Sequence, residues 1–371
     1  MKGIIIKAFS FFYAAQLGVY FGVPNSVHLV LVAPLGLLVW KRMLGLKFSP
    51  YGWLVLTLVS TSFLFSPTFE DVVMLLVKMI SFGSVFLVFY TIVRDYPDAR
   101  LYLIGGVWTA LILDAFYRVS CYTPTVQDII VGSLAYKTEC TRLFSDSNGA
   151  GIAAVLLGSL LLFNQRGRLH ALKYRVLCGA ALLVLLFLSA SKAAWVAAVC
   201  GLAVRVIESI KPFDRRIFLV AFGIAAVILT YMALHNFVGL DDSLDTKFVF
   251  FRIILESLVD EPLQLLFGRG YFSGASHLAG DAVFAHSLYG LGIGMFGLIG
   301  FFSYLALLVA IYSVRVNSLA PLVMILVLGL SYFPPLFEYF ALLIAAYCGV
   351  KRRPIRRHEG SFPRAETLSG R

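Results

Sequence analysis

Residues 176–204 read VLCGAALLVLLFLSASKAAWVAAVCGLAV. The stretch is apolar throughout except at its centre, Ser189-Ala190-Ser191-Lys192. A helix crosses a hydrocarbon core about 30 Å thick with about 20 apolar residues, so this run is too long for one crossing. Its polar centre is where the chain turns. The reading is two membrane helices joined by a very tight turn that carries a lysine.

The same pattern extends along the chain. Of 371 residues, 60% are hydrophobic and only 14% charged, and the mean hydropathy is +0.88. A soluble domain keeps about a quarter of its residues charged to present a wet surface. Apolar blocks at 4–22, 26–40, 51–66, 72–93, 101–119, 148–164, 174–190, 193–208, 217–235, 285–312, 318–333 and 335–350 predict about twelve spans. The last two are also readable as one broken hairpin around Pro334-Pro335. Each block is expected to be a helix, because unpaired backbone groups are costly in lipid. Barrel strands would alternate with a period of two, and these runs do not. The expected fold class is therefore all-α, a polytopic integral membrane protein. The first block has no convincing small-residue cleavage site and reads as a retained helix rather than a signal peptide.

Charge sets the orientation. With a cytoplasmic N-terminus, most of the 31 Lys and Arg fall on inner loops, among them Lys41, Arg42, Arg94, Arg100 and Arg205. Acids favour the outer side. This is the positive-inside pattern. The net charge of +11 is thus a topology signal and not a nucleic-acid footprint. Residues 1–350 form one membrane domain. Residues 351–371 form a basic cytoplasmic tail facing the headgroups of the phospholipid membrane.

Two outer segments are long, 120–147 and 236–284, and long loops are where function concentrates. The second contains Thr246 to Val259, with Phe248, Phe251, Leu255 and Leu258 at helical spacing. That loop helix is expected to lie on the membrane surface or cap a cavity. Pro262 ends it, and Gly268-Arg269-Gly270 turns the chain back. Cys121 and Cys140 share the first loop and are either a disulfide, in an oxidising compartment, or two free thiols.

Outward cations are the first chemical candidates. Lys192 reads as an interfacial anchor or as a functional cation. Arg252 lies four residues before Glu256, so it serves a helix-face ion pair or offers its fork to a diphosphate. Arg269 and Arg142 are further candidates. His286, at the mouth of a span, has an imidazole suited to taking a proton from an attacking hydroxyl. Gly290, Gly294 and Gly297 follow it on one helix face, leaving room for close packing or a ligand. His235, His277, His286 and Asp281 match no compact metal motif, so no metal is expected. No nucleotide-binding motif or acyl-transfer elbow appears, and no cofactor is expected. Within the membrane, Lys78 and Asp114 lie at similar depth and are candidates for an interhelical pair, with Arg118 beside Asp114.

Taken in order, these features resemble the O-antigen ligase and O-antigen polymerase superfamily of bacterial envelope glycosyltransferases. Phe144-Ser-Asp-Ser-Asn148-Gly-Ala looks like that family's asparagine-containing helix start. Leu188-Ser-Ala-Ser-Lys192-Ala-Ala-Trp195 looks like its Ser-Arg/Lys turn. Arg252, followed by Leu266-Phe-Gly-Arg-Gly270-Tyr-Phe, resembles its loop arginine and Phe-Gly-x-Gly segment. His286-Ser287, nine residues, then Gly297-Leu-Ile-Gly300 resembles its histidine motif. Lys192 stands where many relatives carry arginine, and Ser287 where asparagine is commoner. The resemblance covers roughly residues 140–310.

What the resemblance implies is a GT-C-like membrane fold and metal-independent, inverting glycan transfer at the periplasmic face of the bacterial inner membrane. The implied donor is an undecaprenyl-diphosphate-linked oligosaccharide. Lys192 and Arg252 would hold the diphosphate, with Arg269 and Arg142 in support, and His286 would orient or deprotonate the acceptor hydroxyl. Ser287, Asn148, Gly297 and Gly300 would support the site. A polymerase transfers to a second lipid-linked glycan and a ligase to lipid A-core. Modest outer loops favour the polymerase, for which a chain-length regulator protein is a further implied partner. A lipid-linked sugar flippase or other transporter is a third reading, although no paired halves are visible.

Overall fold

A computed structural model of the chain describes residues 2–19, 25–45, 60, 62–66, 68–121, 140, 144, 147–162, 172–189, 191–210, 256, 259, 261–270, 288–311, 318–330, 336 and 338–349. Regular structure among them is entirely helical, with no strand. The helices are α1 (Lys2–Val19), α2 (Asn25–Met43), α3 (Ser62–Phe65), α4 (Phe69–Asp95), α5 (Ala99–Cys121) and α6 (Ser147–Leu162). They continue as α7 (Leu172–Ser189), α8 (Lys192–Ile210), α9 (Pro262–Phe267), α10 (Leu288–Ile311), α11 (Ala320–Gly329) and α12 (Glu338–Cys348). Among the described residues three helices are long and apolar enough to cross a membrane: α4, α5 and Leu288–Val309 of α10. Apolar but shorter helices occur in α6, α7, α11 and α12. Outward faces carry large apolar side chains such as Ile80, Phe116, Leu177, Val199 and Phe302, which suits a lipid surroundings better than water.

Block 51–66 is described only at its end, and block 217–235 and the tail 351–371 lie outside the described residues. Of the expected loop helix over 246–259, only Glu256 and Val259 are described.

Helix α6 sits at the centre. From Gly149 to Leu161 it is buried on every face, as a helix apolar all round must be inside a larger bundle. It touches α5, α7, α8, α11 and α12. Small residues set the closest approaches. A Cβ on Gly106 of α5 would lie 2.8 Å from Ala14 Cβ and 3.0 Å from the Ala15 nitrogen of α1. A Cβ on Gly349, just past α12, would lie 2.7 Å from Val93 Cβ of α4. Close backbones of this kind maximise dispersion where lipid supplies no hydrophobic drive.

Cations collect at one end of the bundle. Lys7 of α1 pairs with Asp98 just before α5 at 3.2 Å. Arg42 of α2 and Arg94 of α4 converge on Asp95 at 3.3 and 2.9 Å. Each also lies over an aromatic ring: Lys7 over Tyr102, Arg42 over Tyr96 and Arg94 over Tyr90. Such rings and cations belong at a membrane–water boundary. The other end of α5 is tied by a disulfide between Cys121 and Cys140, whose Cα atoms are 5.6 Å apart.

Helix α10 is not the continuous span expected over 285–312. It is broken at Gly297, whose φ of 66° and ψ of −179° leave the helical region. The glycines expected to provide a smooth packing face therefore include the residue at which the helix turns. Leu288 to Gly297 are buried apart from Tyr289, while the second half exposes Phe302.

Candidate functional site

Two assemblies bring the sequence motifs together in space. The first is the turn between α7 and α8. Ser189 donates to the Leu186 carbonyl at 2.8 Å, which closes α7. Ser191 caps α8, its hydroxyl accepting from the Ala194 amide at 3.4 Å. A serine N-cap satisfies an amide that the helix itself cannot. The same hydroxyl donates to Asn148 Oδ1 at 3.1 Å, across 43 residues of sequence. Asn148 opens α6, so the hydrogen bond pins the start of one helix to the start of another. Gly151 allows it, since a Cβ there would sit 2.7 Å from Ser191 Cβ and 2.8 Å from Ala194 Cβ. Lys192, the first residue of α8, is exposed on this buttressed turn.

Behind the turn lies the Asp114–Arg118 pair. Arg118 Nε donates to Asp114 Oδ2 at 2.6 Å, one helical turn apart on α5, with side chains only 1% and 3% exposed. A cavity of about 10 Å³, room for roughly one water, is lined by Asp114, Arg118, Ser189 and Leu188 among others. Asp114 is thus bridged to Arg118 of its own helix and not to Lys78. The reason is geometric: an i, i+4 partner is at hand, whereas α4 and α5 touch only slightly. Lys78 lies half-buried on α4.

The second assembly fills the break in α10. The segment Leu266–Gly270 docks backbone to backbone against Gly294–Gly297. Arg269 N–H donates to the Gly294 carbonyl at 2.8 Å, satisfying an acceptor near the break. Gly268 (φ 88°) and Gly297 face one another, and a Cβ on Gly268 would fall 2.7 Å from the Gly297 nitrogen and onto the Met295 carbonyl. A Cβ on Gly297 would in turn meet the Leu266 carbonyl. Gly270 (φ 85°) lies against Ser66 and Asp71 at the start of α4, and Phe267 stacks on Phe65 at 4.5 Å. The Arg269 side chain is 8% exposed, bonded to Gln264 and 3.3 Å from Glu261. It therefore braces its own loop instead of standing open as a cation. Gly300, one turn beyond the break, is buried.

Arg142, Arg252, His286 and Ser287 lie outside the described residues. His286 precedes Leu288, the first residue of α10, by two positions in the sequence. Among the described residues no group of His, Cys, Asp and Glu is arranged to hold a metal.

Three polar residues escaped sequence reasoning. Asp71 accepts from the Thr68 hydroxyl at 2.6 Å while Thr68 caps α4, and Thr68-x-x-Asp71 is a readable N-cap signature. Glu208 of α8 accepts from the Ser318 hydroxyl and the Leu319 amide, both at 2.7 Å, capping α11 from another helix. No local pattern announces that bond. Glu338 is 4% exposed inside the bundle, and an acid within an apolar block is itself the signal.

The architecture is that of an all-helical protein with helices suited to a membrane. Compared with known proteins, the chain matches no family model, no curated protein and no solved structure.

Proposed function

We propose that the chain is a multi-pass glycosyltransferase of the bacterial inner membrane, with about twelve spans, cytoplasmic termini and a GT-C-like arrangement. It would transfer an undecaprenyl-diphosphate-linked glycan to an acceptor hydroxyl at the periplasmic face, as an O-antigen or exopolysaccharide polymerase. The observation that carries this reading is the Ser191–Asn148 hydrogen bond, which joins two separate stretches of the family resemblance beneath Lys192. The docking of Gly268-Arg269-Gly270 onto Gly294–Gly297 supports it in the same way, joining the other two. Orientation is supported by cations gathered at one end of the bundle and a disulfide at the other, where an oxidising periplasm would preserve it.

In this mechanism Lys192 and Arg252 neutralise the diphosphate leaving group as charge develops on it. Arg269 acts indirectly, by holding its loop against α10. His286 orients or deprotonates the acceptor hydroxyl, and the lipid diphosphate supplies the driving force. The product is a glycosidic bond, inverted at the donor carbon, and free undecaprenyl diphosphate. The test is turnover of a defined lipid-linked glycan by the purified protein, detected as lipid diphosphate release and chain growth. Turnover lost in His286→Ala and in Lys192→Ala supports the mechanism; undiminished turnover in both refutes it.

Acceptor choice has its own experiment. After gene deletion, lipopolysaccharide bearing a single repeat identifies a polymerase. Bare core with accumulated lipid-linked polymer identifies the alternative, a ligase acting on lipid A-core. One observation favours transport instead: a helix broken within the membrane, as in α10, is a frequent carrier device. Flipping of lipid-linked sugar by reconstituted protein, without turnover, would establish that reading.

A further inference from the structure

The chain passes from α4 to α5 through Arg94-Asp95-Tyr96-Pro97-Asp98. Its own backbone keeps this turn tight. The Tyr96 amide donates to the Ile92 carbonyl at 2.7 Å, and the Ala99 amide to the Tyr96 carbonyl at 2.8 Å. Cations come to the turn from three helices. Arg94 of α4 grips Asp95 with two hydrogen bonds, at 2.9 and 3.0 Å. Arg42 of α2 reaches the same carboxylate at 3.3 Å, and Lys7 of α1 reaches Asp98 at 3.2 Å. Lys41 precedes Arg42 in the last turn of α2 and is exposed.

The carboxylates cover only half of this charge. Lys7, Lys41, Arg42 and Arg94 against Asp95 and Asp98 leave two positive charges in excess. Aromatic rings hold three of the cations in place without cancelling them. Lys7 lies 5.6 Å from the centre of the Tyr102 ring, Arg42 5.0 Å from Tyr96 and Arg94 5.9 Å from Tyr90. A guanidinium carries five N–H donors in a planar fork. Asp95 engages Nη1 of Arg42, and that side chain is still 48% exposed, so it has donors to offer a second oxyanion.

What borders the cations is apolar. Leu37, Trp40 and Leu44 are exposed around Lys41 and Arg42, and Leu101 and Tyr102 are exposed at the start of α5. Exposed indole and phenol rings beside cations belong at the level where phosphates meet acyl chains. A phosphodiester there sets its charge on the cations and its chains along the leucines. A soluble anion gains nothing from that rim.

From this arrangement we infer that the α4–α5 turn, with Lys7, Lys41, Arg42 and Arg94 around it, binds the phosphate headgroup of an anionic phospholipid. The site lies at the end of α5 opposite the disulfide, and it stands whether or not the glycan reading does.

Photo-crosslinking tests it. Purified full-length protein is placed in phosphatidylcholine nanodiscs containing a trace of phosphatidylglycerol with a diazirine high in its acyl chain. Adducts are mapped by mass spectrometry and compared with those of the same diazirine lipid bearing a phosphatidylcholine headgroup. The anionic lipid should label Trp40, Leu44 and Tyr102 in excess over the zwitterionic one, and unlabelled phosphatidylglycerol should compete. Lys41→Gln and Arg42→Gln should each weaken that competition about fivefold, the usual worth of one basic side chain at an anionic surface. Lys41→Gln leaves all three ion pairs of the turn intact, so its effect reports the headgroup and not the fold. Equal labelling of these residues by the two lipids, including none from either, overturns the site. A preference that both substitutions leave unchanged overturns it as well. So does displacement of the lipid by inorganic phosphate at constant ionic strength, which assigns the turn to a soluble anion.

Discussion

Gly297 holds φ 66° and ψ −179°, a conformation essentially closed to any residue with a side chain. A Cβ there would also drive into the backbone of Leu266 and Phe267, which cannot rotate away as a side chain can. Gly297→Ala should therefore cost at least about 1–3 kcal/mol of backbone strain, with the steric conflict added. The readout is thermal unfolding in detergent, followed by intrinsic fluorescence, together with faster proteolysis of the 261–270 loop. Gly83→Ala is the control: it lies inside α4 with nothing within 4 Å of the added Cβ. Helix propensity alone should leave that variant unchanged or stabilised by about 0.5–1 kcal/mol. Equal melting of the two variants would mean that the loop does not seat on the α10 break.

At the scale of elements, the turn before α8 is held from behind by a buried ion pair. Arg118→Leu removes the cation that bonds Asp114 within α5, a loss of about 3–5 kcal/mol for a buried pair. Replacing both residues, as in Asp114→Leu with Arg118→Leu, should recover much of it, because no charge is then left buried. A double-mutant cycle on unfolding in detergent checks this, and additive losses would show that the pair is not coupled. Glu208→Gln probes the cap on α11 and should weaken its two hydrogen bonds by about 1–3 kcal/mol together, read as increased amide exchange at Leu319. The positions of the described helices were legible in the sequence because an apolar run in lipid has no alternative to intrasegment hydrogen bonding. The tight turn at Ser189–Lys192 was legible for the same reason, since its polarity interrupts a run too long for one span. The break at Gly297 was not, because a lone glycine in an apolar stretch reads equally well as packing surface. For Asp114 the chain offers two partners, Lys78 at matched depth on another helix and Arg118 four residues on, and the neighbour on its own helix is the one that pairs with it. Arg269 read as an open cation because nothing in the chain order shows that Gln264 and Glu261 fold back onto it.

For the whole molecule, charge and redox chemistry make one joint statement about sides. Lys7, Arg42 and Arg94 gather at one end of the bundle with Asp95 and Asp98. The disulfide Cys121–Cys140 closes the far end of α5, whose opposite terminus starts beside Asp98. If the cation-rich end is cytoplasmic, the disulfide and the Lys192 turn must both face the periplasm. Single cysteines introduced as Lys192→Cys and Arg42→Cys decide this. In each background the free Cys178, Cys200 and Cys348 are replaced by alanine. A membrane-impermeant maleimide should label the cysteine at 192 in intact cells. It should reach the cysteine at 42 only after permeabilisation. Independently, the unsubstituted chain should shift by three maleimide adducts when denatured without reductant and by five after reduction. Labelling of both introduced cysteines from the same side would break the link between charge and orientation. The proposed outer site would go with it, because a lipid-linked donor presented in the periplasm could not reach a turn that faces the cytoplasm.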